Sequence, residues 1–415
     1  MANPSSKEAV LDPYSSRYRW VMLALLWLLY ACFGSIFRCL SPLITPILQD
    51  LNISYSQMGL ILGSWQLTYI AAAAIAGILI DKWGTRKALF LGTVIMALSV
   101  GLRNFSHGFG TFLPLVALFG LGGPMISIGC PKTIAQWFRG KDRGTAVGVY
   151  LTGPWLGGAF ALAATNSAIM PLTGHSWRLT FAFYGLMALA VAFLWWFLAR
   201  DIEVSGDSDH VGMKTVLVRL IKIRNIQIAL LSGLLSFGVI HGFTSWLPKI
   251  FETRGFAQAL SGYASSAPLL AGIPALLLLP RMIPPSRRGA AIALMALTVI
   301  ISVWAFFTFT GFWMFAGLIL YGVTSCTLVP LLTLILMDTP EVGSKYMGSA
   351  GGLFFCISEI GGFLSPMVVG MLVDWTGDFL VGGYFIMGLG FAIFLLTFLI
   401  QDRRESCVQG PEPLA

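Results

Sequence analysis

The sequence predicts an all-α polytopic membrane protein whose twelve transmembrane helices form two pseudo-symmetric six-helix bundles. Three observations carry that expectation. Charged residues make up only 11% of the 415-residue chain against 57% hydrophobic ones, and the mean hydropathy is +0.81. A water-soluble domain of this size needs a far more polar surface. The apolar residues gather into twelve runs, each close to the roughly twenty residues that cross a hydrocarbon core. One long polar stretch, 200–224, divides those runs into six and six.

Taken in order, the runs of the N-terminal bundle (19–199) are 19–47, 57–80, 87–105, 110–137, 145–171 and 177–199. Those of the C-terminal bundle (225–400) are 225–251, 260–283, 289–309, 312–336, 347–373 and 380–400. Several are separated by only a few residues, as expected of neighbouring helices that turn straight back. The tail 1–18 is polar and lacks the apolar core of a signal peptide, so the first run is expected to be retained as a span. The tail 401–415 and the stretch 200–224 are polar as well. Cys32, Cys39, Cys130, Cys326 and Cys356 lie inside apolar runs, and Cys407 lies in the tail. None has metal-ligand spacing, so neither a disulfide framework nor a metal site follows.

Orientation follows from charge. The chain has 26 Lys and Arg against 18 Asp and Glu, a balance that in a soluble protein would suggest nucleic acid. Here the bases sit in short clusters between apolar runs, which is the positive-inside pattern. Most of them fall in the even-numbered connections and the tails, among them Lys82, Arg86, Lys87, Arg139, Lys141, Arg143, Arg281, Arg287 and Arg288. The odd connections hold Arg103, Arg178, Lys249 and Arg254. Both termini are therefore expected to be cytoplasmic. A repeat supports the division in two. Gly148, Gly157 and Gly158 in the fifth run recur 204 residues later as Gly352, Gly361 and Gly362 in the eleventh. Small residues at such spacings let membrane helices approach closely, although glycine is common throughout this chain.

After the second run comes Gly77-Ile-Leu-Ile-Asp81-Lys-Trp-Gly84-Thr-Arg86-Lys87. Gly77 suits close helix contact, Gly84 a tight turn, and Asp81 a fixed anion beside Arg86 and Lys87. This run resembles the signature that the major facilitator superfamily carries between its second and third helices. The resemblance implies two six-helix bundles and transport by alternating access. It also implies that the Asp81 cluster braces the outward-facing state and breaks when the protein opens inward. Gly153-Pro154-Trp-Leu-Gly157-Gly158 is similar to an antiporter motif of the same superfamily, with one upstream glycine displaced by a residue; it reads equally as a packing and kinking device. Ser245-Trp246-Leu247-Pro248-Lys249, running on to Gly255, resembles a stretch of the cyanate and nitroimidazole porter group, as does Arg38 with the nearby Ser41-Pro42.

Ionisable groups at membrane depth are functional candidates by default. Arg38 lies about 18 residues, roughly 27 Å, into the first run, and His241 lies at similar depth in the seventh. The repeat would place the two across a central cavity from each other, where both could bind substrate. Alternatively Arg38 snorkels outward and His241 bonds a neighbouring helix. Glu359 stands about 11 residues, roughly 16 Å, into the eleventh run, close to mid-depth. It is a candidate proton carrier, or else the partner of a salt bridge to Arg38. Lys132 could line the cavity or snorkel to the cytoplasmic face. Tyr69, Tyr150, Trp155 and Trp246 are the aromatic candidates for substrate contact.

No phosphate-binding glycine loop, paired Cys-x-x-Cys or His-Glu-x-x-His appears, so neither ATP-driven pumping nor a bound cofactor is expected. Four scattered histidines do not supply an intramembrane enzyme, and the polar segments are too short for a sensor's output domain. The expected function is secondary active transport of a small solute, organic or inorganic anion, by alternating access with protons as a candidate coupling ion. An exporter of amphipathic organic compounds is the alternative. The expected partners are substrate and lipid, not nucleic acid. A monomer in a bacterial inner membrane is the simplest setting for so economical a chain.

Overall fold

The computed structural model describes residues 17–201, 220–339 and 342–399, the side chains of 343–348 excepted. Twelve of its helices are long and apolar enough to cross a membrane. In chain order they are α1 (Tyr18–Leu51), α2 (Tyr55–Trp83), α3 (Thr85–Phe105), α4 (Phe109–Trp137), α5 (Gly140–Leu172), α6 (Trp177–Leu198), α7 (Arg224–Thr244), α8 (Gln258–Met282), α9 (Pro285–Thr308), α10 (Gly311–Asp338), α11 (Ser349–Thr376) and α12 (Phe379–Thr397). The tails and most of the stretch 200–224 lie outside the described residues.

Two interruptions occupy matching places. In α1 a tight 3-10 turn at Ser41–Leu43, around Pro42, precedes a last helical piece, Ile44–Leu51. After α7 the chain turns at Ser245 and resumes as Leu247–Thr253, with Pro248 in its first turn. Proline lacks the N–H that a continuous helix requires, and its ring suits a first turn. Both interruptions fall just beyond Arg38 and His241, so each ionisable side chain stands where its helix ladder ends. Between α2 and α3 a single residue makes the connection. Gly84 takes φ 81° and ψ 164°, a backbone region open essentially only to glycine.

Packing repeats with the same regularity. α1 lies along α5 as α7 lies along α11; α2 pairs with α4 as α8 pairs with α10; α3 pairs with α6 as α9 pairs with α12. The closest seams are made by the repeated glycines. A side chain on Gly157 would begin 1.9 Å from the Ala31 carbonyl oxygen, and one on Gly361 would begin 1.9 Å from that of Leu234. With no hydrophobic drive between helices in lipid, such backbone-to-backbone approach supplies the dispersion contact. Across the halves, α2 meets α11 and α5 meets α8.

These cross-contacts concentrate at the end of the bundle opposite Tyr18 and Thr397. There Gly59 abuts Pro366, Gly63 abuts Phe363, Gly370 abuts Tyr55 and Gly262 abuts Leu162. Asp374 of α11 accepts the Tyr55 and Ser56 backbone N–H groups at 2.9 and 2.7 Å. At the other end Gly77 of α2, Gly144 and Gly148 of α5 and Gly352 of α11 have no atom of the described residues within 4 Å of a side-chain position. Ile75 and Ile78 are exposed there. The halves are closed at one mouth and parted at the mouth that bears the basic connections.

Candidate functional site

Arg38 closes the helical part of α1 and is only 5% exposed. Its Nη1 donates to Thr244 Oγ1 on α7 at 2.8 Å, and its guanidinium carbon lies 4.4 Å from the Phe37 ring centre. The side chain therefore turns inward and does not snorkel to the outer surface. Gly158 makes room for it: a Cβ there would sit 3.0 Å from Arg38 Cγ.

His241 occupies the equivalent position on α7. The offset of 203 that relates Ala31 to Leu234 also relates Arg38 to His241. Its ring is held by Phe37, Trp65 and Phe237, with centroids 5.5, 6.1 and 5.6 Å away, and its Nδ1 has no hydrogen-bond partner. Gly362, the repeat counterpart of Gly158, makes room beside it. Three groups converge on that glycine: Gln66 Nε2 and His241 Cδ2 lie 3.1 Å, and Glu359 Oε2 3.4 Å, from its side-chain position. Glu359 is 6% exposed and Gln66 is 1% exposed. Glu359 Oε2 and Gln66 Oε1 both lack partners. Unsatisfied buried polar atoms are rare in folded proteins and demand an explanation; three around one glycine describe a surface built for something polar that enters. Among the described residues no ion pair joins Glu359 to Arg38, so the structural salt bridge left open by the sequence is not formed.

Gln66 is not among the sequence candidates, which are ionisable and aromatic residues. A carboxamide at mid-length in α2 was the available signal, since an uncharged amide in hydrocarbon also needs a partner.

The aromatic candidates separate. Tyr69 lies beside the cluster, its hydroxyl 2.6 Å from Ser127 Oγ and its ring edge-on to Trp65 at 5.9 Å. Tyr150 is 7% exposed and stacks on Tyr30 at 5.9 Å. Trp155 packs with Ala159, Leu162 and Leu269 at the α5–α8 seam, and Leu269 and Arg38 both border Gly158. Trp246 is fully buried in the closed mouth, bonded to the Pro366 carbonyl at 3.0 Å, with its ring tilted against Tyr55 and Phe379.

The signature segment also differs in detail from the expected cluster. Asp81 pairs with Lys132 of α4 at 2.5 Å rather than with Arg86 or Lys87. The Arg86 guanidinium donates to the Trp196 carbonyl on α6, and its backbone N–H donates to Asp201. These contacts join the N-terminal half to itself and to Asp201 just beyond it. None of them reaches α11, as fits a mouth that is open on this side.

Twelve helices, two pseudo-symmetric halves and a buried polar cluster between them define a membrane transporter of the alternating-access kind. The sequence profile of the Major Facilitator Superfamily matches residues 26–366, and the chain belongs to that superfamily. It is 24% identical to a hexuronate transporter of Bacillus subtilis (strain 168), over 86% of this chain and 89% of that one. It is 23% identical to a probable galactarate/D-glucarate transporter of Escherichia coli (strain K12), over 85% and 86%. Among solved structures it superposes on a bacterial homologue of the human lysosomal transporter Spinster with a TM-score of 0.71 at 15% identity, covering 93% of this chain and 95% of that one.

Proposed function

We propose that this protein moves a small organic anion, of the carboxylate-bearing sugar-acid kind, across the membrane by alternating access, and that the solute travels with a proton. The observation that carries the reading is the Arg38 guanidinium, buried between the halves with a threonine hydroxyl and, among the described residues, no carboxylate on it. A cation so placed is costly unless an anion visits it. Gln66, His241 and Tyr69 offer neutral polar groups for hydroxyls, and Glu359 carries the proton. The names of the hexuronate and galactarate/D-glucarate relatives support the same chemistry.

In this reading the N-terminal bundle is 19–199 and the C-terminal bundle 225–400. The basic mouth and both termini face the cytoplasm of a bacterial inner membrane, as the charge pattern supports, so the structure is the inward-open state of a monomer. Gly77, Asp81, Gly84, Arg86 and Lys87 serve the opposite state, in which α2 and α11 meet at the inner mouth. The likeness of Ser245–Gly255 to cyanate and nitroimidazole porters puts small inorganic anions in the test panel beside the sugar acids.

The test is pH-resolved uptake of labelled sugar acids, small inorganic anions and amphipathic organic solutes into proteoliposomes. Wild type is compared with Arg38→Gln and Glu359→Gln. Anion uptake should vanish in the first variant, and uptake driven by a pH gradient should vanish in the second while anion exchange persists. Anion transport indifferent to Arg38 removes the substrate assignment, and transport confined to amphipathic compounds favours an exporter.

A further inference from the structure

A second buried cation lies on the closed-mouth side of the central cluster. Arg103, in the last turn of α3, is only 2% exposed. Its Nη2 donates to Ser99 Oγ at 3.2 Å and its guanidinium carbon lies 5.4 Å from the Phe181 ring centre, but its Nε–H has no partner. Among the described residues no carboxylate pairs with it. Beside it is a narrow void of about 20 Å³, lined also by Trp65, Ser41 and Ser245. The indole Nε1–H of Trp65, a residue 5% exposed, is likewise without a partner. Phe37 and Trp65, packed edge to face at 5.1 Å and both against His241, stand between this void and the central cluster.

The chemistry of the lining is one-sided. Arg103 and Trp65, each with an unpartnered N–H, line the void together with Ser41 and Ser245, and no Asp or Glu is among the lining residues. A water would accept the hydrogen bonds but leave the guanidinium charge uncompensated, the condition that makes a broken buried pair so costly. A void of about 20 Å³ is of the order that holds one water or one small ion.

We propose that this void binds a single small inorganic anion, a halide such as chloride, which neutralises Arg103. Three of the four donors belong to the N-terminal half, and Ser245 belongs to the C-terminal half. The site is therefore complete only while the mouth at this end is closed, and the bound halide stabilises that conformation. Occupancy by a ligand of the folded, closed form raises its stability by mass action.

The experiment is thermal unfolding of the purified full-length protein in nanodiscs, with chloride exchanged for gluconate at constant ionic strength. Chloride and bromide should raise the Tm saturably, and sulfate and gluconate should not. Arg103→Gln should abolish the halide-dependent increment. Arg38→Gln should keep it, which separates this site from the central one and from the proposed substrate. A Tm blind to chloride, as expected of a water-filled void, overturns the proposal. So does an increment that survives Arg103→Gln, or one lost in Arg38→Gln. Should Arg103→Gln fail to fold, the wild-type size series decides alone: an equal effect of sulfate overturns the proposal.

Discussion

Asp374→Ala should loosen the closed mouth. The carboxylate sits near the end of α11 and reaches across to the start of α2, where it accepts two backbone N–H groups and the Ser56 hydroxyl. The first turn of any helix leaves four such donors unpaired. Ser54 already caps α2 from within its own segment, through a reciprocal capping box with Gln57, so Asp374 serves donors that remain. A capping oxygen is worth about 1 kcal/mol, and a negative charge at a helix start adds roughly 0.3–1 kcal/mol. The site is partly exposed, so the opened state regains water on the same groups and the full sum is not lost. A net change of about 1–2 kcal/mol, or about a 5- to 30-fold shift toward the state open at this mouth, is expected. The assay is a distance distribution between spin labels at His107→Cys, on the exposed α3–α4 connection, and Phe312→Cys, in the exposed first turn of α10. The longer-distance population should grow in Asp374→Ala. Asp378→Ala is the control, because Asp378 caps Leu380 within its own half. An unchanged distribution in Asp374→Ala, or an equal shift in Asp378→Ala, would refute the reasoning.

Other perturbations have equally definite outcomes. Glu252, in the helical piece beyond α7, is held by the Thr45 hydroxyl and lies 4.0 Å from Lys249. Burial pushes its carboxyl above the ordinary carboxylate range, although Thr45 and Lys249 oppose the shift. Its protonated form therefore favours the closed mouth, and closure should weaken as pH rises through that raised value. The same spin-label pair should report this, and Glu252→Gln should flatten the pH dependence; a slope that survives the substitution rules Glu252 out. Gly77→Leu meets nothing in this conformation, so thermal stability should hold within about 0.5 kcal/mol while uptake is lost because the inner mouth can no longer close. Full uptake in that variant would mean that α2 and α11 never meet there. Gly157→Leu, by contrast, forces a side chain to within 1.9 Å of the Ala31 carbonyl. It should cost at least about 1–3 kcal/mol of stability, read as a lowered Tm, and an unchanged Tm would deny the α1–α5 contact.

What the sequence made legible was whatever repeats or violates its solvent. The spans follow from apolar runs because lipid allows no unpaired backbone, and the two halves follow from glycines 204 residues apart. Arg38 and His241 stand out as ionisable groups at membrane depth, and the repeat would set them opposite each other across a cavity. The place of Trp246 in the closed mouth was not legible, because a buried tryptophan reads alike from sequence whether it lines a cavity or seals a mouth. The Asp374 contact spans 318 and 319 residues in sequence, and a carboxylate near a helix end looks like ordinary interfacial chemistry. Asp81 choosing Lys132 over Arg86 depends on which helix leans toward it, and that is a property of the conformational state.

The central cluster also suggests why transport would be coupled rather than leaky. Arg38 belongs to the N-terminal half but bonds Thr244 in the other; Glu359 belongs to the C-terminal half but faces Gln66 in the other. A solute whose carboxylate engages Arg38 competes with Thr244 for that guanidinium, so binding alters a bond between the halves. A ligand shifts a two-state equilibrium only by its difference in affinity for the two states, and contacts that cross the division are where such a difference can arise. On the proposed reading, a proton on Glu359 would act on the second crossing, toward Gln66. If both crossings must be re-formed before the halves rock, empty but deprotonated protein should move slowly. Arg38→Gln and Glu359→Gln should then be non-additive, with a coupling of about 0.5–3 kcal/mol in a double-mutant cycle on exchange rate. Strict additivity would mean that the two groups act on separate steps.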